Sequence, residues 1–177
     1  MKIIMFSVLI SIYYKEKPQY FNRAMTSIWD EQTIKPNEII LVLDGPLTNE
    51  LYSAIHQWQD KIGELFKTIP LDKNVGLGNA LNIGMNHCSY ELIARMDTDD
   101  ISAHNRFERQ LNVFHENDVD VCSAFISEFD NDENLIVSHR VLPELHYDII
   151  KYSKFRNPLN HAVTMYKKSI VENSGGY

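Results

Sequence analysis

The chain has 177 residues, a formal net charge of −7, 44% apolar residues and 11% aromatics, the make-up of one soluble globular domain that can bury about 70% of its unfolded surface. Two cysteines, Cys88 and Cys122, exclude a disulfide scaffold; both sit beside apolar residues and read as reduced core fillers rather than ligands. The acidic balance argues against a nucleic-acid partner, which asks for a basic face, and an anionic ligand would need help from a cation or from helix N-termini.

In chain order, Lys2 and the apolar run Ile3–Ile10 look like the start of a signal peptide. The run ends at Tyr13-Tyr14-Lys15-Glu16 without a small-residue cleavage site, far short of the roughly 20 residues that span a bilayer. A buried strand over Ile3–Ile12 is the better reading, and with no other transmembrane candidate the chain is expected to be soluble and cytoplasmic. Pro18 opens a helix over Gln19–Gln32, with Phe21, Ala24, Met25, Ile28 and Trp29 on one face. Glu38–Leu43 is a second buried strand ending at Asp44-Gly45, followed by a helix over Thr48–Lys61 and a short strand over Leu65–Ile69. The loop Lys73–Gly78 leads into a helix over Asn79–His87, and the strand Leu92–Met96 runs straight into Asp97-Thr98-Asp99-Asp100. A helix over Asn105–Glu116, a strand over Val119–Phe129, a polar turn at Asn131–Asn134, a strand over Leu135–Arg140, a helix over Glu144–Phe155 and a strand over Ala162–Tyr166 complete the pattern. Alternating strands and helices at the front predict an α/β fold: a Rossmann-like, mostly parallel sheet with helices on both faces and no independent second domain.

Ligands of such sheets bind beyond the carboxyl ends of the strands. Those ends bring Ser11, Tyr13 and Glu16 after the first strand, Asp44 after the second, Lys73, Asn74 and Gly76 after the third, and Asp97, Asp99 and Asp100 after the fourth. Two like charges 4 Å apart repel by about 4 kcal/mol at an effective dielectric of 20. A divalent cation turns that repulsion into attraction, and carboxylates suit Mg²⁺ or Mn²⁺. The plainer reading is that one of Asp99, Asp100 and Ser102 caps the next helix. Spaced ligands, a central glycine and a terminal glutamate are absent, which disfavours an EF-hand. Asp44 could accept from a ribose hydroxyl or base N–H, or simply hold its own turn. Gly76 and Gly78 do not make a GxGxxG after the first strand; Gly78 could serve only tight helix packing. Lys73 could meet a phosphate or be a solvated lysine. Arg95 could pair with Asp97 or Asp99, or orient them. His161 could reach the metal or phosphates, or be a structural histidine. Asp130, Asp132 and Glu133 read as a solvated turn.

These segments resemble the bacterial family 2 glycosyltransferases of the GT-A fold. The likeness is carried by residues 7–13, 27–33, 38–45, 74–82 and 94–100, then by Asn157-Pro158, His161 and Gly175-Gly176-Tyr177. It implies a single domain over 1–177, with 1–100 as the nucleotide-binding half and 101–177 as the start of the acceptor-side half. It implies transfer of a sugar, with inversion, from a nucleotide-sugar donor, usually UDP-linked, to a hydroxyl of a glycan or lipid-linked saccharide in polysaccharide, O-antigen, capsule or lipopolysaccharide synthesis. Ser11, Tyr13 and Asp44 would cradle the nucleoside, with Glu16, Lys73, Gly76 and Arg95 beside the donor. Asp97 and Asp99 would be the DxD pair holding Mn²⁺ or Mg²⁺, Asp99 most directly, with His161 as a further ligand. The full protein would work at the inner face of the cell membrane, with peripheral membrane association as an option.

Two departures from the family matter. Leu43-Asp44 stands where the family commonly has two acids, and the family's general base lies in a Glu-Asp motif beyond the Gly-Gly-Tyr segment. The base is therefore expected beyond Tyr177, and the chain is read as a shortened piece that binds donor without efficient transfer. A non-catalytic nucleotide-sugar binding module is the alternative. A sugar-nucleotide pyrophosphorylase shares the sheet but needs a glycine-rich loop with an arginine after the first strand, and residues 11–17 contain no glycine.

Overall fold

The computed structural model describes residues 4–177, so the expected first residue of strand one, Ile3, lies outside the described part. The elements are β1 (Phe6–Ile12), α1 (Pro18–Trp29), β2 (Glu38–Leu43), α2 (Asn49–Ile62), β3 (Phe66–Pro70), α3 (Leu77–His87), β4 (Leu92–Met96), α4 (Arg106–Glu116), β5 (Val121–Cys122), β6 (Ile126–Phe129), β7 (Ile136–Arg140), α5 (His146–Ser153), β8 (Met165–Lys167) and α6 (Lys168–Asn173). A six-stranded sheet has the order β3-β2-β1-β4-β8-β5. The first four strands run parallel, and β8 is antiparallel to both its neighbours.

The apolar runs of β1 and β2 do not alternate because both faces of these strands are covered. One core holds Val8, Ile10, Ile39 and Leu41 against α1, α2 and α4 through Phe21, Met25, Leu51, Ile55 and Phe107. The other holds Leu9, Ile40, Val42 and Ile93 against α3 through Ala80, Leu81 and Met85. Each fully buried Leu, Ile, Val or Phe contributes about 1.5–3 kcal/mol, so helices on both faces are what this sequence must provide. Strand order reverses between β1 and β4, which makes their shared carboxyl end the topological switch point.

Three elements differ from the sequence expectation. The strand expected over Val119–Phe129 is split: β5 joins the main sheet, while β6 pairs with β7 in a separate two-stranded sheet. The break is held by Asn160, whose N–H donates to Ser123 Oγ (3.1 Å) and whose Nδ2 donates to Ala124 O (2.8 Å). His161–Val163 form a 3-10 turn, so the last strand starts only at Met165. Helix α6, six residues long and following β8 directly, has no counterpart in the sequence pattern. Both cysteines are free thiols, pushed up by burial to about 12 for Cys88 and about 11 for Cys122, as core fillers should be.

Candidate functional site

Parallel β1–β4 deliver their carboxyl ends to one edge. Strand alternation then puts Ser11, Asp44 and Arg95 on the α3 side of the sheet, in line with Leu9, Val42 and Ile93. Asp44 is buried, and its carboxylate holds a loop 30 residues away: Oδ1 accepts from the Val75 N–H (2.7 Å) and Oδ2 from the Gly76 N–H (3.2 Å). Both donors lie at the N-terminus of α3, where the helix dipole favours a negative group. The reading of Asp44 as a residue that merely closes its own turn is thus replaced by a clamp across the sheet edge. Gly45 lies under the same loop at φ +88°, and a Cβ there would sit 2.7 Å from Asn74 N, so only glycine lets the loop come this close. Lys73 is exposed on that loop, and Tyr13, also exposed, packs edge-on against Tyr14.

On the other side of β1 lies the acidic loop. Asp97 is paired through Oδ1 with the fully buried Arg95, which also donates to Met96 O. Asp99 is exposed and Asp100 half-buried. Burial and the Asp97 and Asp99 charges push Asp100 up to about 6, against the opposing pull of Arg95 and Arg106. Glu16 is brought to the same cluster. Burial raises its carboxyl above the usual range, Thr98 opposes this by hydrogen bonding, and the Asp99 and Asp97 charges add to the rise. None of these acids caps α4: that helix starts after Asn105 with no side-chain cap bond.

The loop after the cluster is held by one other segment, residues 27–33. Ser102 N–H donates to Ser27 Oγ (3.0 Å), Gln32 Nε2 donates to Ala103 O (2.8 Å), and Thr33 N–H donates to His104 O (2.9 Å). Arg106, buried and lowered by that burial to about 10, donates to Arg95 O (2.6 Å). Arg106, Gln32 and Thr98 were not singled out from the sequence. Ser27 and Gln32 belong to the segment 27–33, and anchoring the acidic loop gives its family-like pattern a physical reason.

Gly175-Gly176-Tyr177 docks on α3, with Tyr177 N–H donating to Asn82 Oδ1 (2.8 Å) and Tyr177 Oη to Tyr166 Oη (2.7 Å). The Tyr177 ring packs edge-on against His161 at 5.5 Å. His161 is lowered by burial and by the Arg95 charge, while Asp97 pulls it up, so it lies within electrostatic reach of the cluster. His161, Tyr166 and Tyr177 wall a cavity of about 300 Å³ together with Leu159 and Val171. Asp130, Asp132 and Glu133 lie apart: Glu133 pairs with Arg23 at 2.7 Å, and Asp132 accepts from Asn134.

Among the described residues no three His, Cys, Asp or Glu side chains form a ready-made metal cage. A hard cation that keeps waters and takes diphosphate oxygens needs only one or two carboxylates. Asp99 and the Asp97 oxygen not engaged by Arg95 are carboxylate oxygens of that kind. Glu16 and Asp100 are raised chiefly by burial, with the Asp97 and Asp99 charges adding to the rise. Carboxylate oxygens are chemically suited to a hard divalent cation.

A family model described as glycosyl transferase family 2 matches residues 7–173. The chain is 40% identical over 176 residues to an Escherichia coli UDP-Gal:alpha-D-GlcNAc-diphosphoundecaprenol beta-1,3-galactosyltransferase, covering 97% of this chain and 62% of that protein. It is 38% identical over 174 residues to the amylovoran biosynthesis glycosyltransferase AmsE of Erwinia amylovora, covering 98% of this chain and 64% of that protein. The chain thus spans under two thirds of the length of these relatives. Its fold matches Staphylococcus aureus TarS 1-349 in complex with UDP-GlcNAc at TM-score 0.74 and 18% identity, over 97% of this chain and 48% of that one. It also matches Pyrobaculum calidifontis mannosyltransferase PcManGT, in complex with GDP-Man and Mn2+, at TM-score 0.69 and 16% identity, over 97% of this chain and 47% of that one. The sheet is the GT-A, Rossmann-like arrangement expected from the sequence, and the chain belongs to glycosyl transferase family 2.

Proposed function

We propose that this chain binds a nucleotide-sugar donor, UDP-linked, for an inverting, metal-assisted glycosyl transfer to a hydroxyl of a lipid-linked saccharide in bacterial polysaccharide or O-antigen synthesis, at the inner face of the cell membrane. One observation carries the reading: the ends of β1, β2 and β4 bring the clamped Asp44 loop and the acidic cluster to the two sides of one switch point. Residues 1–100 hold the donor in this proposal, and residues 101–177 begin the acceptor side.

Ser11, Tyr13 and the Asp44–Gly76 clamp would form the nucleoside wall, with Lys73 beside the phosphates and Glu16 near the cluster. Asp99 and Asp97 would hold Mn²⁺ or Mg²⁺, with His161 as a candidate third ligand. When bound, the cation neutralises charge on the departing diphosphate. Arg95 occupies one oxygen of Asp97 and leaves the other to the cation, while its own positive charge opposes cation binding. The relatives' printed names support the substrate class: one names a UDP-galactose donor and a diphosphoundecaprenol-linked acceptor.

Calorimetry and melting with UDP, with and without Mn²⁺, test the reading. UDP at 100 times its Kd stabilises by about 2.7 kcal/mol, or about 5–10 °C for a domain of this size. Asp99→Ala, at an exposed position, leaves the unliganded Tm unchanged and removes the Mn²⁺-dependent part of the UDP affinity. An intact Mn²⁺-dependent increment in Asp99→Ala refutes the metal assignment; no UDP binding at all refutes the donor site.

A further inference from the structure

We propose that residues 140–156, centred on α5, dock on a lipid bilayer bearing anionic headgroups. Helix α5 buries none of its residues. Tyr147, Ile150, Lys151 and Lys154 follow i, i+3, i+4, i+7 spacing and so form one outward stripe, with Tyr147 76% and Ile150 49% exposed. Leu145 and Phe155 flank the stripe at 69% and 83% exposure, the latter the highest of the exposed large apolar side chains. Arg140 and Arg156 bracket it. This stretch carries four cations against Glu144 and Asp148 in a chain whose net charge is −7. Among the described residues none of the four is paired with a carboxylate.

Charge decides the occupant. Protein–protein interface cores are depleted of lysine, whereas a bilayer surface takes aromatic and aliphatic side chains into the headgroup boundary while lysines on the same stripe reach anionic lipid. Among the described residues no helix is long and apolar enough to cross a membrane, so the contact lies on the surface. The inference deepens the proposed function by naming the face turned to a lipid-linked acceptor, but it needs no bound donor.

The test is flotation of the 177-residue chain with vesicles of phosphatidylcholine alone or mixed with phosphatidylglycerol. Binding is expected only to the mixed vesicles. It should weaken between about 0.1 and 1 M salt, where the screening length falls from about 10 to about 3 Å. Each cation contributes about fivefold to partition, so Lys151→Gln with Lys154→Gln lowers it about 25-fold. Phe155→Ser lowers it as well, and all three substitutions, being exposed, leave Tm unchanged. Equal binding to both vesicle types, binding indifferent to salt, or no binding overturns the proposal. So does a dimer in sedimentation that Phe155→Ser abolishes while vesicles are ignored. UDP titration separates the two claims: vesicle binding without UDP binding refutes the donor site alone, and the reverse refutes this surface alone.

Discussion

Replacing Asp44 by asparagine probes the point where fold and candidate site share an atom. The Asp44 carboxylate, 3% exposed, accepts from Val75 N–H at 2.7 Å and Gly76 N–H at 3.2 Å. An amide keeps one acceptor oxygen and sets an NH₂ against the other N–H. A hydrogen bond to a charged group contributes about 1.5–3 kcal/mol and a neutral one about 0.5–1.5 kcal/mol. One bond is thus weakened and the other becomes a buried donor facing a donor. The expected loss is about 2 kcal/mol, or about 4–8 °C in Tm. The Val75–Gly76 backbone must then retreat from the sheet edge, and UDP affinity in chelator should fall about tenfold, which is about 1.4 kcal/mol. The Mn²⁺-dependent increment should survive, because the acidic loop lies beyond β1. Melting by circular dichroism and titration calorimetry with UDP read these effects. A Tm within about 1 °C of the parent, or an unchanged UDP Kd despite a lowered Tm, refutes the clamp as the link between loop and nucleotide.

Two more substitutions address the two ends of the sheet. Glu38, buried at the start of β2, accepts from Ser7 Oγ (2.7 Å), Lys67 Nζ (2.8 Å) and the Ser89 N–H and Oγ. Burial pushes its carboxyl up, but these bonds together outweigh it and hold the group below the usual glutamate value of 4.5. The stabilisation it gives is therefore complete above pH 4.5 and lost as pH falls through the lowered value. Glu38→Gln should cost about 2 kcal/mol at neutral pH, with the Tm gap to the parent narrowing in acid; a gap that stays constant in acid counts against an ionised network. Arg95→Met removes a buried cation that holds Asp97, whose own side chain is 33% exposed and can rehydrate. Stability should drop by about 2 kcal/mol, less than for a fully buried pair. Mn²⁺ alone should bind several-fold tighter, since a competing positive charge has gone; unchanged Mn²⁺ affinity contradicts the ion pair's role.

Features fixed by local pattern could be read in the sequence, and those fixed by a distant partner could not. Three of the four parallel strands, β1, β2 and β4, announce themselves because Ile39–Leu43 and its counterparts must be covered on both faces, whatever lies elsewhere in the chain. The Arg95 pairing was legible in part: its nearness to the acids indicates Asp97 or Asp99 as partner, and the fold selects Asp97. By contrast, nothing near Asp44 indicates that its partners are Val75 and Gly76, and nothing near Ser123 shows that Asn160 will end β5 there. Glu38, a charged residue opening an apolar strand, looks like a solvated strand end until Lys67 and Ser89 are folded onto it. Helix α6 is too short to show a period and carries no capping side chain. The same division explains the family-like segments. Ser27 and Gln32 fix the backbone of residues 102–103, and Arg106 fixes Arg95 from behind. An acidic loop whose charges repel one another would relax outward if left unsupported. Holding it from α1 and α4 keeps Asp97 and Asp99 beside Glu16 in a protein whose net charge is itself negative.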